Sequence, residues 1–398
     1  MTISVNSATA AVRASLESDS QHGAVVPPLH LSSNFTFSGL GDKREYDYTR
    51  SGNPTRDALA TALAELEGGA GAVVTSSGMA ALNLVAQLLE PGDLLIAPHD
   101  CYGGTHRLFE SLAAKGHFEV LFVDQCDEQA IQRACAREPR LILVETPSNP
   151  LLRIVDIEEM AVAARACGAL LAVDNTFLSP ALQQPIALGA DIVIHSTTKY
   201  LNGHSDVVGG AVVAATEELA ERLQWWANCL GITGAPFDAY LTLRGVRTLH
   251  ARMQQHEKNA GILAELLADH DAVERVYYPG LRSHPGHEIA AQQQSGFGGM
   301  VSFEIAGGEP AVAAFVDSLR FFSLAESLGG VESLVCHPRS MTHAPVSAEA
   351  LSAAGIRPNL IRLSIGIECS EDLVVDVLQA LNAAERASEY PALSAVPE

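Results

Sequence analysis

The chain reads as an α/β protein, a mostly parallel sheet covered by helices and followed by a smaller α+β domain. Three observations lead there. Between about residues 55 and 215, short β-branched or apolar runs alternate with longer amphipathic stretches. Most of these runs are apolar throughout rather than alternating, as strands covered on both faces should be. After about residue 250 the rhythm changes to one long polar–apolar stretch and a few separated strand runs.

Taken in order, residues 1–51 carry little periodicity and an aromatic cluster, Tyr46 and Tyr48, beside Arg50, and read as an extended arm. Asn53 and Pro54 are suited to cap and open a helix whose Leu59, Leu63 and Leu66 share one stripe before Gly68-Gly69 stop it. Leu82, Val85, Leu88 and Leu89 repeat that pattern ahead of Pro91-Gly92. Strands are expected at Ala72–Thr75, Leu94–Ala97, Val120–Val123, Leu141–Glu145, Leu170–Asp174, Ile192–His195 and Gly210–Ala214, giving a large domain over 52–250. A helix near 250–269, strands near 273–278, 300–305 and Ile361–Ile365, and a last helix near 371–385 make up the small domain over 251–398. The closing PALSAVPE is expected to fray.

Composition narrows the function. Of 398 residues, 47% are hydrophobic and 18% charged, which excludes disorder for the body. Twenty-five Lys and Arg against 47 Asp and Glu leave a formal net charge of −22, a field that repels a phosphate backbone and argues against a nucleic-acid partner. No apolar run approaches the ~20 residues of a membrane span, so no membrane partner is expected. The first twenty residues lack a basic start and an apolar core, and the expected location is cytoplasmic. Seven cysteines, with no C-x-x-C pair, read as reduced thiols. Neither G-x-G-x-x-G, G-x-x-x-x-G-K-[ST] nor G-x-S-x-G occurs. His99, Cys101 and His106 do not converge as metal ligands, and no metal is expected.

What remains lies at strand ends, where open α/β sheets bind ligands. His195-Ser196-Thr197-Thr198-Lys199 follows a buried strand; its hydroxyls and turn N–H groups suit a phosphate, and its lysine amine suits a Schiff base with an aldehyde. Pyridoxal phosphate needs both. Asp174 ends another strand, where a carboxylate would pair with a protonated pyridine nitrogen; standing alone, it would read as a turn residue. Ser76-Ser77-Gly78-Met79 opens a helix whose backbone a phosphate could approach, though Ser-Gly there is also an ordinary cap. Tyr102-Gly103-Gly104 offers a ring suited to stacking on a planar group, or else a core tyrosine. The convergence of these strand ends favours the cofactor.

The motifs SSGMAA, DCYGGTHRLF, ETPSNP, VDNTF, HSTTKYLNGHSD and AESLGGVESL resemble those of the Cys/Met-metabolism family of pyridoxal-phosphate enzymes, over nearly the whole chain. That resemblance implies the aspartate-aminotransferase-like fold, fold type I. It implies that Lys199 forms the Schiff base, that Asp174 partners the ring nitrogen, and that Tyr102 stacks on the ring and assists proton transfer. Ser196, Thr198 and the backbone of Gly78 and Met79 would hold the phosphate, with Tyr48 and Arg50 of a neighbouring subunit completing the cup. Asn149 would sit near the ring hydroxyl and the substrate. Arg362 would clamp the substrate α-carboxylate, a task that suits a planar guanidinium, although in isolation it reads as one half of an ion pair.

The wording APHDCYGG, LFVDQ and QWWANCLGITG is most similar to bacterial members that exchange the succinyl group of O-succinylhomoserine for cysteine, giving cystathionine and succinate. The resemblance further implies a homotetramer. Two positions depart from members of the family: Ser51 stands where many such synthases carry a second arginine, as it does in γ-lyases, and Gly104 stands where methionine γ-lyases carry cysteine. Arg107 is therefore the expected partner of the distal carboxylate, with Glu326 and Ser327 the next candidate substrate contacts. The competing readings are a cystathionine γ-lyase, an O-acylhomoserine sulfhydrylase and, outside catalysis, an acidic metabolite-binding protein without visible absorbance.

Overall fold

The computed structural model describes residues 5–342, 351–352 and 354–389, and the PALSAVPE tail lies outside them. Two compact units are present. The first takes the chain up to Pro98, Gly104–Thr146 and Val155–Ala251; the second takes His99–Gly103, Pro147–Ile154 and the chain from Arg252 onward. Compactness thus assigns two short stretches, read as part of 52–250, to the C-terminal unit.

In the first unit a short helix, α1 (Ser7–Arg13), is capped by the Asn6 side chain, which accepts from Ala8 N. The stretch 1–51 thus carries one short helix that its weak periodicity does not reveal. The helix α2 (Pro54–Glu67) starts where expected, because Asn53 accepts from the backbone N–H groups of both Thr55 and Arg56, and it stops at Gly68 in the left-handed region (φ 74°). There follow β1 (Gly71–Thr75), α3 (Gly78–Ala86), β2 (Leu94–Pro98), α4 (Gly103–Ala114), β3 (Glu119–Val123), α5 (Glu128–Cys135), β4 (Leu141–Glu145), α6 (Ile157–Cys167), β5 (Leu170–Asp174), α7 (Ser179–Leu182), β6 (Ile192–His195), β7 (Gly210–Ala214), α8 (Glu217–Leu230) and α9 (Pro236–Val246).

The strands form a seven-stranded sheet in the order β1-β7-β6-β5-β4-β2-β3. Every pairing is parallel except the two made by β7. Alternate residues of one strand enter different cores: Leu143 packs with α3 and α8 residues such as Leu82 and Leu223, while Ile142 and Val144 pack with Ile157 and Met160 of α6. The strands are apolar throughout because both faces are covered, each such side chain contributing about 1.5–3 kcal/mol. Register then sets the site: Glu145 lies opposite Asp174, and Asp174 opposite Ile194, so the carboxyl ends of β4, β5 and β6 are level.

Helix α10 (Leu249–Ala268) leads into the second unit, which contains β8 (Val273–Tyr277), α11 (His287–Gln293), β9 (Met300–Ile305), α12 (Gly308–Ser318), β10 (Ser323–Leu324), β11 (Leu334–Cys336), β12 (Leu360–Ser364) and α13 (Ser370–Glu389). Its sheet runs β10-β11-β12-β9-β8, antiparallel except between β10 and β11. Phe303, Phe315, Val377 and Leu381 fill the core beneath it. The strands β10 and β11 were not foreseen; at two and three residues they are too short to show a period.

Candidate active site

In the first unit, the turn after β6 is closed by Lys199 N donating to Ser196 O at 3.2 Å and Gly203 N donating to Lys199 O at 2.8 Å. The Thr198 hydroxyl is held on both sides by Gly209, donating to its carbonyl at 3.2 Å and accepting from its N–H at 3.0 Å. Against this turn lies the start of α3. A Cβ on Gly78 would fall 2.8 Å from Ser196 Cβ, and one on Gly210 would fall 2.2 Å from the Ser77 carbonyl oxygen. Only glycine lets these backbones meet.

Ser77 caps α3, its Oγ accepting from Ala80 N at 3.1 Å and its carbonyl accepting from Ala81 N at 3.1 Å. The N–H groups of Gly78 and Met79, in the first turn, have no intrahelical acceptor and mark the positive end of the helix. Ser196 therefore faces the positive end of a helix. Asp174 Oδ1 accepts from Thr176 N at 3.0 Å. Burial pushes the Asp174 carboxyl pKa up, opposed by its bonds from Thr176 and by His195 nearby. Such a carboxyl gains from a cationic partner.

The remaining first-unit candidates are more open. Tyr48 is exposed, and the Arg50 guanidinium carbon lies 5.6 Å from its ring centre. Arg50 Nη1 donates to the carbonyl of Asn228 at 2.8 Å and to its side-chain oxygen at 3.0 Å. Ser51 donates to Asp47 and to the Tyr48 carbonyl. Arg107 is exposed on α4 with no anionic partner among the described residues. His106 stacks on Phe122 with ring centres 4.1 Å apart.

The second unit gathers a separate set. Arg362, in β12 and 2% exposed, donates from Nη1 to Asn149 Oδ1 and from Nη2 to the Ser327 carbonyl, both at 2.9 Å. Ser327 holds a φ of +83°, unusual for a side-chain-bearing residue, and this conformation directs its carbonyl to Arg362. Asn149 is buried, whereas Glu326 is exposed. Tyr102, 42% exposed, immediately precedes α4. The loop carrying it is pinned by Asp100, whose Oδ2 accepts from Ser148 Oγ at 2.8 Å and lies 3.7 Å from Arg153 Nε. Arg153 also meets His99 Nε2 at 3.0 Å and donates to the Ala354 carbonyl at 2.8 Å. The structure thus brings Arg362, Asn149 and Ser327 together and ties the Tyr102 loop to the Asn149 loop; it does not bring Glu326 into that set.

Asp100, Ser148 and Arg153 escaped the sequence reading. Their one signal was an arginine inside the apolar run LLRIV.

The Gly78 and Gly210 cradle, the half-buried Asp174 carboxyl and the lysine-bearing turn fit a phosphorylated pyridine aldehyde. Comparison with known proteins agrees. The family model described as Cys/Met metabolism PLP-dependent enzyme matches residues 8–382. The cystathionine gamma-synthase of Escherichia coli K12 is 56% identical over 380 residues, 95% of this chain and 98% of that one. A cystathionine beta-lyase of Lactococcus lactis is 48% identical over 94% of this chain and 98% of its own, and the cystathionine gamma-lyase of Dictyostelium discoideum 46% over 94% and 97%. Among solved structures, the cystathionine gamma synthase of Xanthomonas oryzae pv. oryzae, in complex with aminoacrylate and cysteine, superposes with a TM-score of 0.96 at 62% identity, over 96% of this chain and 100% of that one. With the fold, the strand-end turn and these matches in agreement, the chain belongs to the Cys/Met metabolism family of enzymes that depend on pyridoxal phosphate.

Proposed function

We propose that this enzyme is a cystathionine γ-synthase, which replaces the succinate of O-succinylhomoserine with the sulfur of cysteine to give cystathionine and succinate. The observation that carries the succinyl preference is Arg107: in a chain of net charge −22 it is an exposed cation with no anionic partner among the described residues, near the start of α4. Such a cation is what the ester's distal carboxylate needs to offset repulsion and desolvation.

Bound pyridoxal phosphate supplies an aldehyde that condenses with an amine and a ring that takes up the electrons left by a departing proton. The rest falls to the chain. Lys199 Nζ would hold the cofactor, and its amine, when free, would carry protons from the substrate Cα and then Cβ and later return them. Asp174 would accept from a protonated ring nitrogen, a cation that would offset the carboxyl's desolvation. The N–H groups of Gly78 and Met79 and the Ser196 hydroxyl bind the phosphate, while Thr198, its hydroxyl engaged by Gly209, shapes the cup. Tyr102 covers the ring and assists proton transfer. Arg362, held by Asn149 and Ser327, takes the α-carboxylate, and Glu326 and Ser327 border the substrate.

We also propose 1–51 as an arm, 52–250 as the cofactor domain and 251–398 as the small domain, in a cytoplasmic homotetramer. In that assembly Tyr48 and Arg50 of each arm serve a neighbouring subunit's phosphate. The arm's exposed Leu31, Phe37 and Leu40 support this, since apolar side chains there seek cover.

A second reading, γ-elimination from cystathionine, is favoured by Ser51 and by the lyases among the relatives. Steady-state rates with O-succinylhomoserine and O-acetylhomoserine, each with and without cysteine, and with cystathionine alone, decide between them. Faster cystathionine formation from the succinyl ester than any breakdown of cystathionine is the expected result; the reverse order overturns the proposal.

A further inference from the structure

Behind the lysine-bearing turn lies a buried polar chain that the proposed chemistry does not use. Glu67, the last residue of α2, and His195, the last of β6, are 1% and 0% exposed. Glu67 Oε1 lies 2.7 Å from His195 Nε2 and accepts from Asn175 Nδ2 at 2.9 Å. Asn175 also donates to the Gln183 carbonyl at 2.8 Å, and Gln183 Nε2 donates to Asn175 Oδ1 at 3.0 Å and to the Thr146 carbonyl at 3.1 Å. The chain therefore ties together the ends of β4, β5 and β6. It does so at a cost, because Glu67 Oε2 and His195 Nδ1 are buried without a hydrogen-bond partner among the described residues. Buried charged groups of this kind are often no more stabilising than apolar side chains of similar volume. Stability alone does not explain the group.

Its placement does. Asn175 adjoins Asp174, and His195 begins the segment that ends four residues later at Lys199. One carboxylate oxygen is thus shared by the two strand ends that carry the ring-nitrogen partner and the Schiff-base lysine. We propose that Glu67 is a positioning residue: by holding Asn175 and His195 on a single oxygen, it sets the spacing of Asp174 from the Lys199 turn. This rests on the assignment of Asp174 and Lys199 to the cofactor made above.

The test compares holoenzyme variants. Glu67→Gln keeps the shape but replaces one acceptor oxygen with an NH2 group. It should lower kcat about ten- to a hundredfold, the usual range for a residue that orients a group in contact with the reacting centre. The KM for O-succinylhomoserine should stay within about twofold, because no substrate contact is lost. The pH midpoint of the cofactor's visible band should move by about half a unit as the spacing of Asp174 from the Lys199 turn changes. Asn175→Ala, which removes the donor from the other strand end, should share the fall in kcat and provides a second route should Glu67→Gln not fold. Wild-type kcat and band midpoint in folded Glu67→Gln would overturn the proposal. So would a loss that tracks the melting temperature with the midpoint unmoved, or aggregation of both variants, each of which marks a structural role. Lys199→Ala run in parallel separates the two layers: if it keeps the native visible band, the cofactor assignment fails and the proposal with it. If it loses that band while Glu67→Gln behaves as wild type, only the positioning role fails.

Discussion

Arg362→Lys keeps a positive charge in β12 and removes the guanidinium plane. In the structure that plane is fixed by two neutral oxygens, Asn149 Oδ1 and the Ser327 carbonyl, each 2.9 Å from a terminal nitrogen. A single ammonium cannot satisfy both anchors and still meet a carboxylate with two parallel N–H groups. One charge-assisted hydrogen bond is worth about 1.5–3 kcal/mol, and about 1.4 kcal/mol is tenfold, so Arg362→Lys should lower kcat/KM for O-succinylhomoserine roughly 10- to 150-fold. Arg362→Ala forfeits both bonds, about 3–6 kcal/mol, or on the order of 10²- to 10⁴-fold. Because the α-carboxylate does not change during the reaction, it is held equally before and during chemistry, and the loss should fall on KM. Succinate release measured across substrate concentration, beside a melting curve for each variant, provides the assay. A folded Arg362→Ala within threefold of wild type, or one that loses only kcat, would refute the assignment.

Arg107→Ala should penalise the succinyl ester about ten- to a hundredfold while barely altering the acetyl ester, in parallel kcat/KM measurements; equal losses would make the residue structural. Gly210→Ala would drive a Cβ to 2.2 Å from the Ser77 carbonyl oxygen, forcing the α3 cap off β7, and should weaken cofactor binding in a spectrophotometric titration while lowering the melting temperature. Burial depresses the pKa of His256 and of His284 to about 4. A group depressed in the folded state favours folding above its unfolded pKa near 6.5 and loses that advantage as pH falls towards 4, so each should cost about 2 kcal/mol by pH 5. Denaturant melts at pH 7 and pH 5 should show this, with a smaller difference in His256→Gln. Asn53→Ala removes the oxygen that caps Thr55 N and Arg56 N, and should cost about 1–2 kcal/mol by chemical denaturation.

The parts of the fold legible in the sequence are those whose burial is nearly complete. The strands Leu141–Glu145, Leu170–Asp174, Ile192–His195 and Gly210–Ala214 stand where their apolar runs place them, because both faces are covered. Helix α1 was illegible for the opposite reason: Ala11 is its only buried residue, so it has no apolar stripe. The transfer of His99–Gly103 and Pro147–Ile154 to the second unit goes with pairings such as Ser302 with Pro150 and Arg153 with Ala354, far apart in sequence and without a local signature. Glu67 was hidden by its position, since a charged residue ahead of Gly68-Gly69 reads as the solvated end of a helix. Only the level ends of β4, β5 and β6 turn it inward.

The antiparallel β7 has a consequence for how the molecule matures. Gly78 and Ser196 are far apart in sequence, and the helix and strand that bring them together are joined through β7, which lies between β1 and β6. Closing so long a loop is slow and its entropy is repaid late, so each half of the proposed phosphate cup would exist before the cup does. On the proposed assignment, cofactor capture would be an event of the completed sheet, and a nascent chain released before β7 would carry Lys199 without a finished cup. Once the sheet has closed, the cofactor acts as a latch: at a thousand times its dissociation constant it adds about 4 kcal/mol to the folded state. The supply of the vitamin would then govern how long the protein survives as well as how fast it works.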